Sequence, residues 1–197
     1  MSTIEESNSP ASTISINYQS PKTVNLTKNK FNIANNHPEL IFAKILLHIL
    51  SENKKSKDYY KNINSNQDGH FTFKMKPGIS LLDYLRRILK YLRIEYSTLI
   101  IAMIYIDRIC KEKVFLNEYN IHRIMLISIY MAYAYNEDCI YDNKYLALVS
   151  GLNRNEMVLL KEDFLDLIEF KLFVSDEIFE QYKKYFYREL LVNNKND

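Results

Sequence analysis

Three features of this sequence predict an all-α fold. From Ile79 to the C-terminus there is no proline and only one glycine, Gly151. That permits long helices and argues against a turn-rich β-sandwich. Apolar residues recur at helical spacing, as in Leu81, Tyr84, Leu85, Ile88 and Leu92. The run Leu99–Ile106 is apolar on every side, and a helix without a polar face must be enclosed by other helices.

The elements follow in chain order. Residues 1–36 are rich in Ser, Thr and Asn and are expected to form a disordered N-terminal arm, because such a segment cannot offset its ordering entropy. Residues 37–190 form the folded domain. Pro38 suits the first position of a helix over 38–50, with Asn36 or His37 as cap. Residues 51–78 interrupt the pattern with six lysines, three acidic residues and a closing Pro-Gly, and read as an inserted loop without packed structure of its own.

Ser80 then caps the helix bearing Leu81 to Leu92, and Asp83 in its first turn favours the helix dipole. Ser97 is the expected cap of the next helix, Thr98 to Cys110. A third helix begins near Asn117 and carries Ile121, Ile124, Met125, Ser128, Ala132 and Tyr135 on one face. The fourth is short, about Asp142 to Val149, with Gly151 placed to end it. Asn153 and Glu156 have capping-box spacing for the fifth, whose buried stripe is Met157, Leu160, Phe164, Leu167 and Ile168. The sixth opens at Ser175 and carries Phe179, Tyr182, Phe186 and Leu190. Residues 191–197 are expected to be a disordered C-terminus.

Composition removes several function classes. Among the 197 residues, 26 basic side chains face 24 acidic ones, which excludes a strongly basic nucleic-acid binder. With only three glycines, well apart, there is no dinucleotide fingerprint and no P-loop. Two cysteines, Cys110 and Cys139, are too few for a disulfide framework or a structural zinc site, and read as buried free thiols suited to a reducing compartment. His37, His48, His70 and His122 are scattered and form no metalloprotease pair. No apolar run reaches the roughly 20 residues of a membrane-spanning helix, and no secretory h-region is visible. No catalytic constellation, cofactor motif or metal site emerges. The 16 tyrosines fit either an interface, where one end is apolar and the other wet, or simple A/T-rich codon bias.

The string PGISLLDYLRRILKY, Pro77 to Tyr91, resembles the opening of the cyclin box in P/U-type cyclins, the phosphate-pathway cyclins of fungi and their protist relatives. Leu99 to Ile109, with its Tyr-Ile-Asp-Arg, resembles their second helix. Asn120, His122 and Arg123 stand where that family has N-x-H-R-L. Phe164 to Phe173, FLDLIEFKLF, resembles the end of their fifth helix. The resemblance covers about residues 76–190. It implies a single five-helix cyclin box with a preceding helix (Pro38 to Leu50) and a following C-terminal helix.

The resemblance also implies function. The chain would be a regulatory subunit rather than an enzyme, one that binds and activates a cyclin-dependent protein kinase in the cell cycle or a nutrient pathway. It would act inside the cell, nuclear and/or cytoplasmic, without cofactors, membrane or nucleic acid. An arginine of the first box helix and the aspartate of the second commonly pair, which implies a structural ion pair between Arg87 and Asp107. The kinase-facing positions fall at Ala134, Tyr135, Lys161 and Phe164. Two of them depart from the family, which has a lysine where Ala134 stands and a glutamate where Lys161 stands. Those departures keep open a cyclin-fold scaffold that no longer activates a kinase. A transcription-factor-like module is less favoured, because no basic stripe runs through 79–190.

Overall fold

The computed structural model describes residues 37–57, 59–64, 69–111, 114–137 and 141–193. Among them there are eight α-helices, one 3-10 turn and no strand. Helix α1 spans Pro38–Lys55, α2 Tyr59–Asn64, α3 Leu81–Leu92, α4 Tyr96–Lys111, α5 Ile121–Asn136, α6 Asn143–Ser150, α7 Arg154–Leu167 and α8 Asp176–Asn193. Helices α3 to α7 are the expected five-helix box, α1 is the preceding helix and α8 the following one.

Local chemistry sets most of the boundaries. The Ser80 hydroxyl accepts from the Asp83 amide at 3.1 Å. Asn153 and Glu156 form a complete capping box at the start of α7. Asp142 accepts the Tyr145 amide at the start of α6, and Gly151 closes that helix at φ +74°, a conformation that costs a residue with a Cβ. Ser97 does not start α4, which begins at Tyr96. Its hydroxyl turns back to Glu95 instead.

Helix α4 lies at the centre, with every residue from Thr98 to Ile106 buried. Helix α5 is enclosed more fully than one periodic face predicts. All of Ile121–Tyr133 is buried, including His122, Arg123 and Ser128. Helices α3, α4 and α7 surround it together with the 3-10 turn Gly69–Phe71.

That turn belongs to the segment expected to be an inserted loop, and here the expectation is corrected. Residues 51–55 continue α1, and α2 buries Tyr59 beside Tyr60 and Phe115. Phe71 is buried as well. The Phe73 amide donates to the Tyr119 carbonyl at 2.9 Å. The Asn53 amide group donates to the Leu116 carbonyl at 2.9 Å, and Lys54 and Lys76 share Glu118. The polar average of the segment hid three aromatic anchors, and averages do not register single buried side chains. At the other end, residues 191–193 extend α8 rather than leave it. The expected arm 1–36, residues 194–197, Cys139 and the Leu190 side chain lie outside the described residues. Cys110 is half-buried, not the fully buried thiol expected.

Ile106→Ala removes a fully buried side chain and is expected to lower unfolding free energy by about 2–5 kcal/mol. Leu148→Ala, at an exposed position of α6, should change it by less than about 0.5 kcal/mol. Urea denaturation of both variants checks the contrast.

Candidate docking site

The expected pair of Arg87 and Asp107 does not form. Arg87 lies on the exposed side of α3 and donates to the Leu148 carbonyl of α6 at 3.2 Å. Asp107 faces the other way and accepts from the Tyr182 hydroxyl of α8 at 2.6 Å. It also pairs with Lys111 one turn on, at 2.7 Å. The carboxylate therefore has a phenol and a rim lysine for partners and needs no buried guanidinium. Burial and the bond to Asp107 hold the Tyr182 phenol far above its ordinary range.

The charge pair that does sit deep in the box belongs to Arg123, from the N-x-H-R stretch. It is buried, donates to Glu156 and to the His70 carbonyl at 2.6 Å each, and lies 4.0 Å over the Phe73 ring. His70 in turn is held by Asp163, which accepts its amide at 2.9 Å and its ring Nδ1–H at 2.8 Å. Residues 69–73 are thus strapped across α5 and α7. Gly69 is required there, because its φ is +55° and a Cβ would come within 2.7 Å of Asp163 Oδ2. Beside Arg123, His122 donates from Nε2 to the Ile79 carbonyl at 3.1 Å, while its buried Nδ1 has no partner among the described residues. Desolvation holds this imidazole below the ordinary 6.5, so it is kept neutral.

The four residues expected to face a partner separate into two groups. Tyr135 is 51% exposed at the end of α5, next to half-buried Ala134. Phe164 is not a surface residue. It is fully buried with its ring edge-on to Tyr105 at 5.8 Å. Lys161 is spent inside the molecule, donating to the Tyr130 hydroxyl at 3.0 Å and to Asn143 Oδ1, with its ammonium 4.3 Å over the Tyr130 ring. It ties α7 to α5 and α6. A half-buried ammonium needs such partners, and these were close at hand.

The exposed aromatic surface lies slightly further along the chain. After α7, Glu169 and Phe170 both adopt left-handed backbone, φ +52° and +57°. The turn is clamped from α4. Tyr105 donates its hydroxyl to the Leu172 carbonyl at 2.7 Å. Arg108 donates to the carbonyls of Lys171 and of Phe173, the latter at 2.9 Å. Phe170 and Phe173 are left 66% and 72% exposed. Burial pushes the Tyr105 phenol up to about 12, and Asn136 and Tyr135 lie beside it. The clamp therefore brings the end of α5 and the turn after α7 to one edge. Sequence reasoning missed Phe170, Phe173 and Arg108 as site residues. The available signal was the pair of phenylalanines in EFKLF, too polar a setting for a buried stripe.

Exposed aromatics on a braced turn, in an all-helical box, make a candidate docking surface. This is the build of a protein-binding regulatory module. A family model described as Cyclin matches residues 7–172, and the chain belongs to the cyclin family. It is 40% identical over 122 residues to Cyclin-U4-3 of Arabidopsis thaliana, covering 61% of this chain and 56% of that protein. It is 36% identical over 109 residues to Cyclin-P4-1 of Oryza sativa subsp. japonica, covering 54% and 51%. It is 35% identical over 115 residues to PHO85 cyclin-like protein psl1 of Schizosaccharomyces pombe, covering 57% and 47%. The chain spans about half the length of the curated relatives it matches. The U and P names agree with the P/U-type resemblance read from the sequence. Cyclins are regulatory subunits rather than enzymes. No helix among the described residues is long and apolar enough to cross a membrane.

Two measurements test the rebuilt ion-pair network and the neutral histidine. A double-mutant cycle between Asp107→Asn and Tyr182→Phe should give a coupling of about 0.5–3 kcal/mol. The cycle between Arg87→Ala and Asp107→Asn should give none beyond about 0.5 kcal/mol. For His122, the unfolded chain takes up a proton near pH 6.5 and the folded chain only at lower pH. Stability is therefore full above about 6.5 and falls as the pH drops below it. Thermal melts between pH 7 and 5 should show this loss, and His122→Gln should flatten it.

Proposed function

We propose that this cyclin binds a cyclin-dependent protein kinase as its regulatory subunit and activates it, and that it does so inside the cell, nuclear and/or cytoplasmic. The observation that carries the reading is the edge formed by Tyr135, Phe170 and Phe173. In the free chain these side chains cover little apolar surface, and the two phenylalanines stand on a turn whose left-handed residues, Glu169 and Phe170, cost on the order of 1–3 kcal/mol each. Such strain is retained where the surrounding structure fixes it, and here Tyr105 and Arg108 do so. Aromatic anchors held in place before binding lower the ordering cost of association. The printed name of the S. pombe relative, a PHO85 cyclin-like protein, supports a kinase of that kind as the partner.

A second reading has its own observation. Ala134 and Lys161 stand where the resembled family has a lysine and a glutamate, and Lys161 is turned inward. A cyclin-fold scaffold that has lost kinase activation fits those two positions. Purifying the chain with candidate kinases and assaying phosphoryl transfer separates the readings. Binding with activity supports the first and binding without activity the second. No binding to any kinase of the cell sinks the first and favours a scaffold that has lost the kinase as well.

Phe170→Ala and Phe173→Ala should each weaken kinase binding by about 1–3 kcal/mol while leaving the thermal melt unchanged. Lys161→Ala should do the reverse, lowering the melt and sparing the affinity. Calorimetric titration alongside melting curves reads both effects.

A further inference from the structure

A second surface lies at the other end of α5, where four segments meet. The Asn53 side chain near the end of α1 donates to the Leu116 carbonyl, and the Phe73 amide donates to the Tyr119 carbonyl, at 2.9 Å each. Tyr59 of α2 sets its ring edge-on against Phe115. Lys54 and Lys76 reach Glu118 from different segments, at 2.6 and 2.9 Å. The end of α1, the start of α2, residues 73–76 and the loop 114–119 are thus fixed to one another.

This end of the molecule is basic. Lys54, Lys55, Lys57, Lys61, Lys74 and Lys76 are all exposed. Glu52 answers Lys55, and Glu118 is shared by Lys54 and Lys76. The other three lysines are in no ion pair among the described residues. Over 51–78 the sequence has six lysines and three acidic residues, so cations stay in excess when Glu118 is counted with the acids. Two apolar tips stand among these lysines. Met75, between Lys74 and Lys76, is 80% exposed, and Tyr60, next to Lys61, is 74% exposed. One such side chain alone is ordinary on a protein surface. Here two of them project from backbone that other segments hold in place, with lysines on either side.

The chemistry selects the kind of partner. The segment 51–78 contains no arginine. Bidentate recognition of a single phosphate or carboxylate favours the planar guanidinium, whereas lysine is a mobile point charge suited to a diffuse field. The apolar tips stand out from the surface, so they fit a soft medium that they can enter. Tyrosine is favoured at the level of lipid headgroups, and lysine clusters are drawn to anionic leaflets. A lipid surface with negative headgroups answers both features at once. Such contact needs no spanning helix.

We propose that the face formed by the end of α1, α2 and residues 74–76 binds the surface of an anionic lipid bilayer. Met75 and Tyr60 enter the headgroup region, and the lysines meet its charge. The family resemblance, carried by residues 76–190, implies no membrane partner, but five of the six lysines lie before it. The proposal stands independently of the kinase reading. Helix α5 has 16 residues, so the loop before it and Tyr135 near its end lie about 20 Å apart along it. A partner on the aromatic edge and a bilayer on the basic face can be held together.

The test is flotation of the full chain with vesicles of phosphatidylcholine mixed with phosphatidylserine, and with vesicles of phosphatidylcholine alone. Retention by the mixed vesicles only, weakening as salt is added, is the expected result. Lys57→Glu, Lys61→Glu and Lys74→Glu should each lower the partition coefficient at least about fivefold. Lys184→Glu makes the same charge change on exposed α8 and should lower it less than about twofold. These side chains are exposed, so thermal melts should be unchanged. In methyl NMR with lipid discs of the mixed composition, a spin label on the headgroups should broaden Met75 and spare the buried Met125 and Met157. Failure to float with the mixed vesicles overturns the proposal, and so does equal retention by phosphatidylcholine alone. An equal loss from Lys184→Glu overturns it by making the attraction a matter of net charge. Release from the vesicles by single-stranded RNA at lower concentration also overturns it and assigns the face to nucleic acid.

Discussion

Everything in this fold is arranged around a helix that cannot face water. From Leu99 to Ile106, α4 has no polar side to offer, and burying such a segment requires neighbours on every flank. Helices α1, α5 and α8 supply them. The consequence appears where the apolar run stops. Its last residues before solvent, Tyr105, Asp107 and Arg108, cannot remain buried without partners. They find them in one place, the connection between α7 and α8 and the helix that follows. Tyr105 holds Leu172, Arg108 holds Lys171 and Phe173, and Asp107 holds Tyr182. The Tyr-Ile-Asp-Arg string acts as a clasp, converting enclosure of the central helix into a fixed position for the exposed aromatics.

Helix α5 solves the same problem with a different device. It carries His122, Arg123 and Ser128 into the interior. A buried guanidinium is tolerable only when paired and hydrogen-bonded. Glu156 from α7 provides the charge, and the His70 carbonyl provides an acceptor from a segment distant in sequence. The strap 69–73 is therefore recruited by the arginine, which gives a lysine-rich connection a reason to fold. His122 shows the complementary solution, since kept neutral it needs one acceptor and finds it at Ile79.

Legibility in the sequence followed the reach of each interaction. The box helices were readable because caps and apolar periodicity are local. Asn153 with Glu156, Ser80 with Asp83, and Gly151 each act within a few residues of the boundary they set. The enclosure of α4 was readable for the same reason. What escaped was non-local. The strap depends on a contact between Arg123 and His70, and no periodicity marks either residue. The partners of Asp107 come from α8, which no spacing rule connects to α4. Lys161 looked available because its sequence neighbours gave it no counter-charge, yet Tyr130 and Asn143 reach it from other helices. Phe164 fell on the correct apolar stripe and was then placed outward by resemblance, although its own periodicity already pointed to the core.

These placements separate the residues that hold the box from those left exposed at its edge. Tyr135, Phe170 and Phe173 add little to the packing of the free chain, so their chemistry is available for selection on binding alone. Lys161 has gone the opposite way, since its ammonium now braces three helices. A residue doing that cannot also donate freely across an interface without loosening α6. On the proposed reading a partner would be recognised chiefly by aromatic contact and shape, with the paired charges of Lys171 and Glu169 at the rim of the turn. Rim charges of that kind act on encounter rate and discrimination more than on affinity. Ala134, where the resembled family has a lysine, adds no charge beside Tyr135, so the end of α5 is left to apolar and aromatic side chains.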